Sequence, residues 1–210
     1  NFGVQYEFFN TDYRFNPRKG NEFFITASVG TKKVKKNNVI VKLVDESDPS
    51  YNFNSLYDTL QLNAYQFRVK GSLAHFFKLS KASTIKIGVN GGWFQSPNIF
   101  RNELFQIGGY KLLRGFDEES IFASQFAVGT VEYRFLLGQN SYLFSFVDVG
   151  WAKNTTASTV SSSNFLGAGL GMAFETKAGI FNISYAAGKR DDAKLNLRQS
   201  KIHLRYVNYF

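Results

Sequence analysis

Nine segments of this chain alternate apolar and polar residues with a period of two, and on several of them the second face carries full charges. Few folds accept that combination. Successive side chains of a strand point to opposite faces. The alternation therefore separates an apolar face from one bearing Gln66, Arg68, Lys70, Lys86, Glu132, Arg134, Asp148, His203 and Arg205. Charges on the inner faces of so many strands make a poor dry core. They suit a barrel with lipid outside and water in the lumen.

The strands are read from Val4-Tyr6-Phe8, Phe23 to Val29, Tyr65 to Leu73, Ile85 to Trp93, Ala127 to Phe135, Leu143 to Trp151, Leu166 to Phe174, Phe181 to Tyr185 and Ile202 to Tyr206. Asn90-Gly91 is a hairpin signal, but the alternation runs through it, so that segment stays one strand. In the strand from Leu166, one face is apolar and the other is almost bare, with Gly167, Gly169 and Gly171. Phe (23) and Tyr (11) are abundant and Pro (3) is scarce, which favours sheets over helical bundles.

The connections sort by length. Turns at 16–20, near 80, at 137–140 and at 175–179 are short, whereas 30–58, 96–122, 154–164 and 189–200 are long. This alternation is expected of an outer-membrane barrel, with tight turns on the periplasmic side and long loops outside. Within 30–58, a strand extension is expected around Val39 to Val44. Mean hydropathy is −0.22 and no apolar run approaches the ~18 residues of a transmembrane helix. A spanning strand needs only ~9–11 residues and meets lipid with every second side chain.

The net charge of +9 comes from cations scattered over strands and loops, with one cluster at Lys32-Lys33-Val34-Lys35-Lys36 in a long loop. No nucleic-acid partner is expected. The chain lacks Cys, so thiolate metal sites and disulfides are excluded. No nucleophile elbow, phosphate loop or His-x-x-x-His pair is present, and no enzyme activity, metal or cofactor is expected. His75 is read as lying near a strand end, and His203 as an ordinary lumenal side chain.

Nine strands pose a counting problem. Bacterial single-chain barrels have even strand numbers, and an open sheet cannot sit in lipid with unpaired edges. Either Val39 to Val44 supplies a tenth strand, or the chain is half of a larger barrel. The sequence opens at Asn1 inside an apparent strand, as a mature or truncated piece would.

The loop at 96–122 contains Ile107-Gly-Gly-Tyr-Lys-Leu-Leu-Arg-Gly-Phe116. If it folds into the lumen, the Arg114 guanidinium requires carboxylate partners, and its planar fork suits bidentate pairing. Asp148 and Glu132 lie on the next two strands with inward parity. Arg114 is expected to pair with Asp148, with Glu132 close by. Gly115 would allow a tight turn or close approach to the wall. Phe116 would pack on small inner-face residues such as Gly150.

Several of these motifs together resemble one family. Gly108-Gly-Tyr-Lys-Leu-Leu-Arg-Gly-Phe116 resembles the lid-loop signature of the BamA/TamA superfamily. Phe146-Val-Asp-Val-Gly150 resembles its Phe-x-Asp-x-Gly strand motif, and Glu132 sits where the intervening strand carries an acid. Thr11 to Gly20 is similar to the turn before the lid. The alternating last strand, with Tyr206 and a terminal Phe210, resembles its insertion signal, although Asn208 is polar where an apolar residue is usual. High Phe, Tyr, Asn and Lys usage is similar to members from Bacteroidota.

The resemblance implies an all-β transmembrane antiparallel barrel, of which residues 1–210 are about the last nine of sixteen strands. The N-terminal strands and the periplasmic POTRA repeats would lie outside this sequence. It further implies a bacterial outer-membrane protein that assists insertion of client β-barrel proteins, with outer-membrane lipid and assembly lipoproteins as further partners. In that reading the last strand, Lys201 to Phe210, pairs weakly with the first and templates an incoming strand. Alternatives are a polypeptide translocation barrel of the same superfamily, a barrel bearing a patatin-like lipase passenger, and a passive porin-like barrel of about ten strands.

Overall fold

The computed structural model describes residues 1–58, 60–156 and 160–208. Its strands are β1 (Phe2–Thr11), β2 (Gly20–Lys33), β3 (Asn63–Lys78), β4 (Ser83–Gln95), β5 (Phe105–Ile107), β6 (Ile121–Ala123), β7 (Gln125–Leu136), β8 (Tyr142–Thr155), β9 (Val160–Thr176), β10 (Gly179–Arg190) and β11 (Lys201–Val207). Nine of them form one sheet in the order β1-β2-β3-β4-β7-β8-β9-β10-β11, every neighbouring pair antiparallel. β5 and β6 pair with each other inside the connection from β4 to β7. Among the described residues the sheet is open, with β1 and β11 as its edges.

The alternation sorts the faces as the chemistry requires. Val89, Val131, Val147, Val149, Leu166, Ile183 and Leu204 all project outward and are exposed. A soluble monomer rarely shows so large an apolar surface, whereas a wall facing hydrocarbon needs it. Asn90-Gly91 lies within β4, with no turn.

Two loop expectations change. Val39 to Val44 is not a strand: α1 (Asn38–Val41) takes its first three residues, started by the Asn37 side chain accepting from Val39 N at 2.9 Å. Asparagine is a strong N-cap, and its local bond offers the backbone a helical turn. The loop expected at 154–164 is mostly strand, because β8 and β9 stay paired out to Thr155–Val160. Asn154, Ser161, Ser162 and Ser163 carry no apolar alternation although their backbones remain laddered. Of the lysine cluster, Lys32 ends in β2 and pairs with Glu103 at 2.5 Å.

The sheet is strongly curved. The β1–β2 turn reaches the inner face of β7, although a flat sheet would hold β2 and β7 about 14 Å apart at ~4.8 Å per strand. Asn16 in that turn accepts from Arg134 Nη1 at 3.0 Å and donates to Gln139 O at 2.9 Å. On the concave side, register lines up two rows of residues. One is Gly88, Thr130, Asp148, Gly167 and Gly188; the next is Lys86, Glu132, Phe146, Gly169 and Ala186. The first row, bare apart from Thr130 and one carboxylate, leaves space for a loop.

Candidate functional site

That space is filled by the connection from β4 to β7, which folds back against the concave face of the sheet and is called the lid below for its position alone. Its tip is knitted by its own backbone: Gly109 N donates to Leu113 O and Glu119 N to Gly108 O, both at 3.3 Å. Tyr110 N donates to the Glu118 carboxylate at 3.0 Å. Gly108, Gly109 and Gly115 have φ of +109°, +95° and +94°, where side chains are disfavoured. Leu113 adopts φ +64° without being glycine. Such a conformation persists only when its surroundings over-determine it. Here Leu113 is 1% exposed, in a cluster with Phe94, Ile107, Phe126, Val128 and Phe165 that joins lid to wall.

At the centre, three donors of Arg114 meet one carboxylate. The backbone N and Nε donate to Asp148 Oδ2 at 3.0 and 2.9 Å, and Nη2 donates to Oδ1 at 2.8 Å. Nη1 donates to Glu132 Oε2 at 2.5 Å. Thr130 Oγ1 also donates to Asp148 Oδ1, at 2.8 Å. The Phe146 ring lies beneath the guanidinium, its centroid 3.5 Å from Cζ, in the geometry of a desolvated cation–π contact. Glu132 Oε1 accepts from Arg134 Nε at 2.9 Å, so two arginines and two carboxylates form a buried quartet without net charge.

Burial alone would lower the pKa of Arg114. The hydrogen bonds and charge of Asp148, with the charge of Glu132, outweigh that and hold it above its usual value. The quartet borders a cavity of about 550 Å³, and burial pushes the phenol of Tyr110, which also lines it, up to about 12. A charge-neutral, hydrogen-bonded quartet can stay buried, whereas removing one member strands the others. The arrangement can therefore hold the loop against the wall, and the quartet with its contacts is referred to below as the lock. A protein-family model describing the Omp85 superfamily domain matches residues 1–204.

The chain belongs to the Omp85 superfamily. Members of this superfamily insert or translocate proteins at the outer membrane. The chain matches no curated protein.

Within this Omp85 chain, Arg114, Glu132 and Asp148 meet in one cluster, and Gly115 lies against the wall. A Cβ on Gly115 would stand 2.7 Å from Ala187 C and Gly188 N. The seat expected for Phe116 is different. Leu113 covers Gly150, where a Cβ would meet its Cδ1 at 3.0 Å. Phe116 instead lies over Gly188 and packs edge-on against Phe165, with ring centroids 5.4 Å apart. The left-handed turn at Leu113 brings that side chain under the lid, and Phe116 falls one strand pair further round.

Three partners of the Omp85 lid were not singled out from sequence. His203 on β11 is a lumenal side chain that also accepts from Gly115 N through Nε2 at 3.1 Å, a contact to the lid that the sequence reading did not include. Arg134 orients Glu132, and the i, i+2 spacing of Glu132 and Arg134 on one strand face was the available signal. Gly167 is the third: a Cβ there would stand 2.0 Å from Arg114 O. His75 lies near the end of β3 and bonds Asn21 at 2.6 Å, away from the lock. At the other end of the sheet, Tyr206 packs on Phe181 with centroids 4.8 Å apart and donates its hydroxyl to Ala178 O. Phe210 lies outside the described residues.

Proposed function

We propose that residues 1–210 are the C-terminal part of an outer-membrane barrel that assists insertion of client β-barrel proteins into the outer membrane. The lid, held by Arg114 and Asp148, keeps the wall in its working shape. The family match over residues 1–204 carries this reading, and the buried lock supports it. In the whole barrel β11 would pair weakly with the first strand, and an incoming client strand would add at that seam by β-augmentation. Outer-membrane lipid and assembly lipoproteins are the accompanying partners.

The test uses the full-length protein in liposomes with an unfolded client barrel, following client folding by its heat-modifiable gel shift. Faster folding than in empty liposomes, slowed by Arg114→Ala, is expected. A client that becomes protected from protease inside the liposome without folding into the bilayer would instead support polypeptide translocation. A disulfide joining the last strand to the first, with client folding unimpaired, would exclude the seam.

A further inference from the structure

The lock does not end at Glu132. Arg134, whose Nε holds one Glu132 oxygen, extends Nη1 to Asn16 Oδ1 at 3.0 Å. Asn16 is 2% exposed and lies in the turn that joins β1 to β2. Its amide also donates to Gln139 O, in the turn between β7 and β8. An unbroken run of buried hydrogen bonds therefore leads from a turn at the short-turn mouth to a lid entering from the opposite mouth, in the order Asn16, Arg134, Glu132, Arg114, Asp148.

We infer that the β1–β2 turn is a second latch for the lid, with Asn16 and Arg134 as positioning residues that act through Glu132. Each Glu132 oxygen accepts from one arginine. If Asn16 is withdrawn, Arg134 retains a buried N–H without its acceptor, and a buried unpaired donor is costly. Arg134 already holds the Glu132 carboxylate through Nε, and Arg114 uses the other oxygen of that carboxylate. Arg134 then competes with the lid for it, and displacing the turn loosens the lid at the other mouth. The turn has separate anchors that do not touch this run: Arg18 donates to the carbonyls of Ser80 and Lys81, and Asp12 Oδ1 accepts from Arg18 N at 2.8 Å and Lys19 N at 3.1 Å. The inference depends on the lid geometry and holds whether clients are inserted or translocated.

Residues 1–210 contain no Cys, so once any Cys elsewhere in the full-length protein is replaced, a single reporter thiol can be introduced. In the full-length protein, Val128→Cys, a change of little volume on the wall beneath the lid, places it there, and its rate of labelling by a membrane-impermeant maleimide reads lid opening. Asn16→Ala should raise that rate about ten-fold, the scale of one lost hydrogen bond to a buried charge. Asn16→Asp keeps an oxygen for Arg134 while losing the donor to Gln139, and Arg18→Ala loosens the turn without touching Arg134; both should stay within about two-fold of the reporter alone. Rates are taken on the heat-modifiable folded band, and Asn16→Leu, of similar volume, replaces Asn16→Ala should that variant not fold. An unchanged rate in the apolar variant, or an equal rise with Arg18→Ala, would overturn the inference.

Discussion

Arg114 donates to Asp148 from its backbone and its side chain at once, so one carboxylate fixes both the path of the lid and the orientation of the guanidinium. Arg114→Ala and Asp148→Ala should each destabilise the lid by about 3–5 kcal/mol, the range for breaking a buried pair. The double variant should exceed the worse single by less than ~0.5 kcal/mol, since both remove one contact. Arg114→Lys should rescue little, because an ammonium cannot span two carboxylates as a planar fork does. Heat resistance of the folded band on gels provides the measurement, and additive losses would refute a shared contact.

The glycine row gives a second test. Gly167→Ala drives a methyl into Arg114 O, 2.0 Å from an ideal Cβ, and should unseat the lid as fully as Arg114→Ala. Gly129→Ala meets nothing closer than Val149 O at 4.0 Å and should be neutral within about 0.5 kcal/mol. Protease sensitivity of the lid separates the two variants.

Phe146→Leu retains apolar volume but removes the π face under Arg114. A desolvated cation–π contact is worth about 2 kcal/mol. The variant should therefore weaken the lock by that order while leaving both ion pairs in place, as a smaller fall in heat resistance than Asp148→Ala.

The bond from Gly115 N to His203 Nε2 requires a lone pair on that nitrogen. An imidazolium has none, so the contact exists in the neutral form and is lost as pH falls. Arg114, Asp148, Asp117 and Glu118 all act electrostatically on this ring. Lid opening, read by thiol labelling, should rise as the imidazole takes up a proton on acidification. His203→Gln should flatten that dependence.

How much of this was legible in sequence follows from the range of the signals. Alternation is local, so all nine wall strands were visible, and parity alone put Glu132 and Asp148 on one face. Cross-strand register is not local. Gly88, Gly167 and Gly188 read separately as weak strand positions and become a seat for the lid only when hydrogen bonding aligns them with Asp148. Asn16 and Arg134 are separated by 118 residues, and their contact depends on sheet curvature. The outer parts of β8 and β9 kept their ladder where apolar patterning stops, so the backbone continued after its sequence signature ended.

The bond between Gly115 and His203 also constrains the order in which this protein is built. The lid is synthesised before β7, β8, β9, β10 and β11, yet its last contact lies on β11, 88 residues downstream. Leu113 cannot hold its left-handed turn without the wall around it. The contact to His203 thus forms only once β11 has joined the sheet, after β7 and β8 have supplied the carboxylates that hold Arg114.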